Sequence, residues 1–296
     1  SLPSIQDIEP QKVLGADRLI VYPTRAIRRK NVGEFLFWSA LAQEGDLFAA
    51  TLAPANPTAR PVYERWVAFA EQQKLRAKFE LAGAVDLSFP EVMASAEAII
   101  TTSVAEGFGM AFLEPFLFGK GLLGRDLPDI TGDFSQSGVG LDGLYERLDV
   151  PLEWIGGEGE LRVRLSEALT KAYAAYGRAC KEETVQAALD AAVREGRVDF
   201  GRLDEELQER VILQLLATDE PRKEIQPWDL MSQGAAAIEA NCEAIAEHFN
   251  LEQYGRRLMD IYSPLCAVTP APLDALDAAR VLDAFLDPAR FCLLRT

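Results

Sequence analysis

Along the first half of the chain, short apolar runs alternate with longer amphipathic stretches, and that alternation predicts the fold class. Arg18, Leu19, Ile20, Val21 and Tyr22 read as a buried strand that stops at Pro23. A helix is expected over 32–42, with Val32, Phe35, Leu36 and Leu41 on its apolar side. Residues 46–52 form a second predicted strand. A loop over 53–61, holding Pro54, Pro57 and Pro61, leads into a helix over 62–74. A short strand at 78–81 ends at Gly83, and Ser88 is placed to cap a helix over 89–94, where Pro90 sits at a tolerated early position. Strands at 98–101 and 121–124 flank a helix over 110–118, and residues 125–135 read as a loop. Strands alternating with helices in this way imply an α/β fold, a Rossmann-like doubly wound parallel sheet.

From about residue 161 to 217 the pattern becomes helical. Leu203, Leu207, Val211 and Leu215 recur every four residues, and Ile212 and Leu216 broaden the stripe. Gly196 is expected to end one helix, and Asp199 or Asp204 to start the next. The plain reading is a helical insertion packed on the sheet domain; the alternative is a surface for a homodimer or another domain. Residues 221–228 read as a linker into closing helices. The expected organisation is a lead-in over 1–16, a Rossmann-like nucleotide-sugar-binding domain over 17–157, the insertion over 158–228, and closing helices with a C-terminal extension over 229–296.

At 296 residues and 49% hydrophobic, the chain can bury a large core. No run approaches the ~20 apolar residues of a membrane span, and no targeting segment is visible, so a cytoplasmic protein is expected. The first residue is Ser1, which suggests a fragment or processed form. With 46 acidic and 30 basic residues the average field repels phosphate backbones, which argues against nucleic-acid binding. Cys180, Cys242, Cys266 and Cys292 show no Cys-x-x-Cys spacing, so reduced thiols are the default. One histidine, His248, and scattered cysteines supply no metal-ligand set, so no metal or other cofactor is expected. His248 also has no nucleophile elbow near it, which argues against a Ser/His/Asp hydrolase.

Against this acidic background the loop after the first strand stands out. Arg25, Arg28, Arg29 and Lys30 place four cations in six residues. Arg offers a planar fork and Lys a point charge to phosphate oxygens. A solvated basic loop would look the same in isolation. Far downstream, the buried run at 98–102 leads into Glu106, Gly107, Phe108 and Gly109, with Glu114 eight residues after Glu106. Glycines there let a backbone approach a ligand, and a following helix N-terminus favours an anion. The same glycines would also serve plain strand–helix packing. In a parallel sheet, however, the loops after successive strands open on one edge, so the basic and glycine loops are expected to converge on one crevice.

In their order, the pair Arg25 and Lys30, the segment Phe79, Glu80, Leu81, Ala82, Gly83, Ala84 and Val85, and the run Ser103 to Gly109 with Glu114 resemble family-four retaining glycosyltransferases. The later pattern Ile238-x-x-Asn241, then Phe249, Asn250, Leu251, Glu252, Gln253, Tyr254, Leu258, Ile261 and Tyr262, is similar to that family's closing helices. The resemblance covers about 17–135 and 235–263 and implies the C-terminal, donor-binding half of a GT-B enzyme that transfers a hexose from a nucleoside-diphosphate sugar. It assigns Arg25, Lys30 and Glu106 to the reacting region. Arg25 and Lys30 would bind the diphosphate and offset charge on the leaving nucleotide. Glu106 would hold the sugar hydroxyls, with Gly107 and the Phe108 and Gly109 amides nearby. Glu114 would take the ribose hydroxyls, and Gly83, Ala84 and Val85 would hold the base. Ser103 would approach the phosphate or sugar. None need be a proton-transfer base, since positioning and leaving-group stabilisation can drive retaining transfer. Arg125 and Asp126 depart from the family's usual small residues, and would shape donor choice or cap a turn. The acceptor-binding N-terminal half would be absent, leaving this chain inactive alone. Two other readings stay open: a GT-B-like nucleotide-sugar epimerase, and a non-catalytic nucleotide-binding or interaction module.

Overall fold

A computed structural model describes residues 14–81, 88–217, 225, 233–269 and 275–295. Its main sheet has six parallel strands: β1 (Arg18–Arg25), β2 (Asp46–Leu52), β3 (Ala77–Lys78), β4 (Ala98–Thr101), β5 (Gly121–Arg125) and β6 (Leu144–Tyr145). Their order is β3-β2-β1-β4-β5-β6, the doubly wound Rossmann order, as expected from the sequence. The helices between them are α1 (Val32–Ala40), α2 (Arg60–Gln72), α3 (Phe89–Ser95), α4 (Glu114–Leu117) and α5 (Pro128–Gln136).

Period-two alternation puts the side chains of β1 on both faces of the sheet. Ile20 and Tyr22 face Phe35, Leu36 and Phe48, whereas Leu19 and Val21 face Met93, Ile99 and Phe116. Because both faces are covered, the central strands are apolar almost throughout, which made them readable. Each fully buried Phe or Leu contributes about 1.5–3 kcal/mol relative to exposure.

Several expected boundaries shift, each for a local reason. β1 runs past Pro23 to Arg25, with a register irregularity against β2 between Tyr22 and Arg25. β3 is Ala77–Lys78 rather than 78–81. The helix expected over 110–118 divides into a 3₁₀ turn, Met110–Phe112, and α4. Pro115 has no N–H and its ring clashes with a preceding helical carbonyl, so the α-helix can begin only one residue before it. Residues 125–135 are not a loop: α5 starts at Pro128 in its favoured first position. Thr131 donates to Asp126 Oδ1 at 2.6 Å, and Phe134 is buried from its apolar side.

After the main sheet come β7 (Asp149–Pro151), α6 (Glu158–Ala175), α7 (Glu182–Ala192), β8 (Val193–Arg194), β9 (Arg197–Asp199) and α8 (Glu205–Ala217). The stretch expected to be all-helical therefore contains strands. β7, β9 and β8 form a small antiparallel sheet, and β7 comes from before residue 158. Gly196 does not end a helix. With Glu195 at φ 50° and Gly196 at φ 75°, the two make the tight turn between β8 and β9, a geometry in which both central residues need positive φ. Asp204 does start α8, accepting from the Leu207 amide at 3.0 Å. The closing helices are α9 (Ala235–His248), α10 (Leu251–Ala267) and α11 (Ala278–Phe285). Most of the linker expected over 221–228 lies outside the described residues, with Ile225 alone described and buried. No described helix is long and apolar enough to cross a membrane.

Candidate functional site: two laced loops at the strand switch point

The strand order reverses direction between β1 and β4, which are hydrogen-bonded neighbours. Crossovers leave to opposite sides of such a point and open a crevice beyond the carboxyl ends of the strands. The loop after β1 is the basic one, and the loop after β4 holds the two glycines. The predicted convergence of these loops is therefore built into the topology.

The convergence is tight. Lys30 Nζ donates to Glu106 Oε1, joining residues 76 apart in sequence. Ser103 Oγ donates to the same oxygen at 2.6 Å. Arg29 Nη1 donates to the Ala105 carbonyl at 2.7 Å and lies 3.2 Å from Glu106 Oε2. The backbones are tied as well: the Val104 amide donates to the Arg29 carbonyl at 3.0 Å, and the Thr102 hydroxyl reaches the Lys30 and Asn31 carbonyls at 3.0 and 3.1 Å. Tyr22, which sequence reading placed only in the strand, closes the set. Its hydroxyl donates to the Lys30 carbonyl at 3.0 Å and lies 2.8 Å from Ser103 Oγ.

Electrostatics follow from this packing. Burial pushes the Glu106 carboxyl up, but hydrogen bonds from Lys30 and Ser103 and the charges of Lys30 and Arg29 outweigh it, so its pKa is lowered. Glu106 is thus held as a carboxylate between two cations. Burial pushes the Tyr22 phenol up to about 12, so it stays a neutral donor. Positive charge exceeds negative at this edge, which suits an added anion.

The other expected residues fall in different places. Arg25 ends β1, exposed and with no side-chain partner among the described residues. Arg28 is engaged elsewhere, paired in bidentate fashion with Glu205 of α8 at 2.6 and 2.8 Å. Gly107 and Phe108 are exposed, Phe108 by 93%. Gly109 needs to be glycine on two grounds: its φ is 73°, and a Cβ would stand 2.5 Å from Ile130 and 2.8 Å from Phe134 of α5. Glu114 is half-buried at the first position of α4. Gly83, Ala84 and Val85 lie outside the described residues.

Arg125 neither shapes the crevice nor caps a turn. It is buried, with Glu34 of α1 on one side (2.6 Å) and Asp199 of β9 on the other (2.8 Å). Tyr145 also donates to Glu34 at 2.8 Å. Asp126 does serve a turn, through its bond from Thr131.

A parallel sheet in this order, with a cationic and a glycine loop laced at the switch point, defines a Rossmann-like α/β domain, and over part of its length the chain is glycosyltransferase-like. It is 34% identical over 118 residues to the mannosylglucosyl-3-phosphoglycerate synthase of Petrotoga mobilis. That match covers 40% of this chain and 23% of the relative, so the chain spans less than a quarter of that protein's length. No family model matches. Among solved structures, the C-terminal domain of a group 1 glycosyl transferase (LpcC) from Francisella tularensis is similar at TM-score 0.36 and 15% identity, covering 41% of this chain and 66% of that one. TarM of S. aureus, solved with fondaparinux, alpha-GlcNAc-glycerol and UDP, is similar at TM-score 0.42 and 11% identity, covering 88% and 38%. The strand order, not these distant likenesses, defines the fold.

Proposed function

We propose that this chain is the nucleotide-sugar donor-binding half of a retaining glycosyltransferase that moves a hexose from a nucleoside-diphosphate sugar. The observation that carries the reading is the Lys30–Glu106 pair, which joins the basic and glycine loops at the β1/β4 switch point. In this reading Lys30 and the exposed Arg25 take the diphosphate and stabilise charge on the leaving nucleotide. Glu106, kept ionised, accepts hydrogen bonds from sugar hydroxyls. Ser103 and Tyr22 fix the Glu106 and Lys30 positions, while Glu114 is assigned to the ribose and Gly107, Phe108 and Gly109 to the sugar side. Gly83, Ala84 and Val85 are assigned to the base. Neither a metal ion nor a proton-transfer base is invoked, since positioning and electrostatics suffice. In this reading acceptor binding is the task of the enzyme's other, N-terminal half. The likeness to the Petrotoga synthase supports the transferase class.

Calorimetry with uridine, guanosine and adenosine diphosphates tests the reading. Micromolar-to-millimolar binding of at least one, weakened at least about tenfold in Lys30→Ala and in Arg25→Ala, is the expected result. Absence of binding to all three sinks it.

A further inference from the structure

Behind the basic turn stands α8. Asn31, which ends the turn Arg28–Lys30 and starts α1, is 1% exposed and left-handed at φ 51°, ψ 58°. Asn accepts this conformation more readily than other residues with a side chain, and here two contacts fix its amide in place. Asn31 Nδ2 donates to Glu34 Oε2 at 2.7 Å, and Asn31 Oδ1 accepts from Gln208 Nε2 at 2.9 Å.

Gln208 is wholly buried and reaches across 177 residues of sequence. Its other visible bond is to the Phe200 carbonyl at 3.1 Å. A Cβ on Gly33 would sit 2.0 Å from Gln208 Oε1, so α1 can approach α8 this closely only with glycine at that position. Oε1 itself has no hydrogen-bond partner among the described residues. An apolar side chain of equal size would fill the same space without burying an orphan oxygen, so packing alone does not call for an amide here. Nearly a turn earlier on α8, Glu205 takes the Arg28 guanidinium. One helix thus holds both ends of the turn: Arg28 through Glu205, and Asn31 through Gln208. Lys30, between them, is left to meet Glu106.

We infer that Gln208 is a positioning residue for the donor crevice: through Asn31 it holds the turn at 28–31 in the conformation that presents Lys30 to Glu106 and to a diphosphate. The role in ligand binding rests on the donor-site reading above; the role in holding the turn does not.

The test compares Gln208→Met with Val211→Ala, a buried apolar position on the same helix that makes no side-chain hydrogen bond. Hydrogen exchange is followed at the amides of Lys30, Asn31 and Val104, the last of which reports loop-to-loop pairing. Calorimetry uses whichever of uridine, guanosine or adenosine diphosphate the unmodified chain binds. In Gln208→Met those three amides exchange about tenfold faster or more, and nucleotide affinity falls about tenfold. Val211→Ala lowers the melting temperature but leaves both readouts at their unmodified values. Equal exchange at the three amides in the two variants overturns the inference. If the unmodified chain binds none of the nucleotides, the donor-site reading fails by itself, and the exchange data still decide whether Gln208 holds the turn.

Discussion

Helices α8 and α10 carry similar sequence patterns and meet opposite fates. On α8, Leu207, Val211, Ile212 and Leu215 are completely buried against the main sheet's core. On α10, Leu251, Tyr254, Ile261 and Leu265 follow the same three-and-four spacing, yet no residue of that helix is buried, and Leu251 is 88% exposed. Amphipathic spacing states that a face is suited to being covered. It does not state by what. α8 finds its cover within the chain and also supplies polar anchors, Glu205 and Gln208, to the basic turn. The apolar row of α10 stays largely exposed, with Leu258 alone among its large apolar side chains half-buried.

The largest effect that sharpens this contrast lies at Arg125, which links the sheet to the α8 region. Arg125→Ala leaves Glu34 and Asp199 buried without their shared counter-charge. Loss of about 3–5 kcal/mol is expected, measured by urea denaturation. A smaller loss would mean that the region carrying α8 is not held to the sheet by this cluster.

Next comes a paired truncation. Leu207→Ala empties a fully buried site and should lower stability by about 2–5 kcal/mol. Leu265→Ala, on the open face of α10, should change it by less than about 0.5 kcal/mol. Comparable losses would show that α10 is covered in solution by another copy of the chain, and a dependence of the Leu265→Ala loss on protein concentration would identify that case.

The smallest effect is acid titration at the crevice edge. Glu106 has a folded pKa below its unfolded value, so the stability it contributes is present above the unfolded carboxylate value, about 4.3, and is lost as pH falls through the lower folded value. The stability difference between the unmodified chain and Glu106→Gln should therefore be full near pH 6 and vanish toward pH 2. A difference independent of pH would remove the Lys30–Glu106 pair as its source.

The two loops were legible for different reasons. Lys30 and Glu106 stood out because a cation cluster in an acidic chain and a glycine-flanked carboxylate are both local features, and parallel topology carries such loops to one edge. Tyr22 was readable only as a strand residue; nothing local shows that its hydroxyl meets Ser103, 81 residues on. Asn31 and Gln208 were silent for the same reason. Arg125 was misread because its two carboxylates come from α1 and from β9, and neither neighbours it in sequence. The β8–β9 turn was mistaken for a helix end because one glycine at positive φ serves either role, and only the pairing partner β7 decides between them.

By itself, the sequence determined the alternation of buried strands and helices, the parallel sheet that follows from it, and the two loops whose charge and glycine content mark a crevice. These depend on periodicity and local conformational preference, which act over a few residues. The tertiary structure alone decided which cation faces Glu106 and which is taken by α8, how Arg125 is neutralised, and which amphipathic helix is covered. Those outcomes depend on side chains brought together from far apart, and burial makes each such meeting energetically decisive because an unpaired charge or amide has no water to turn to.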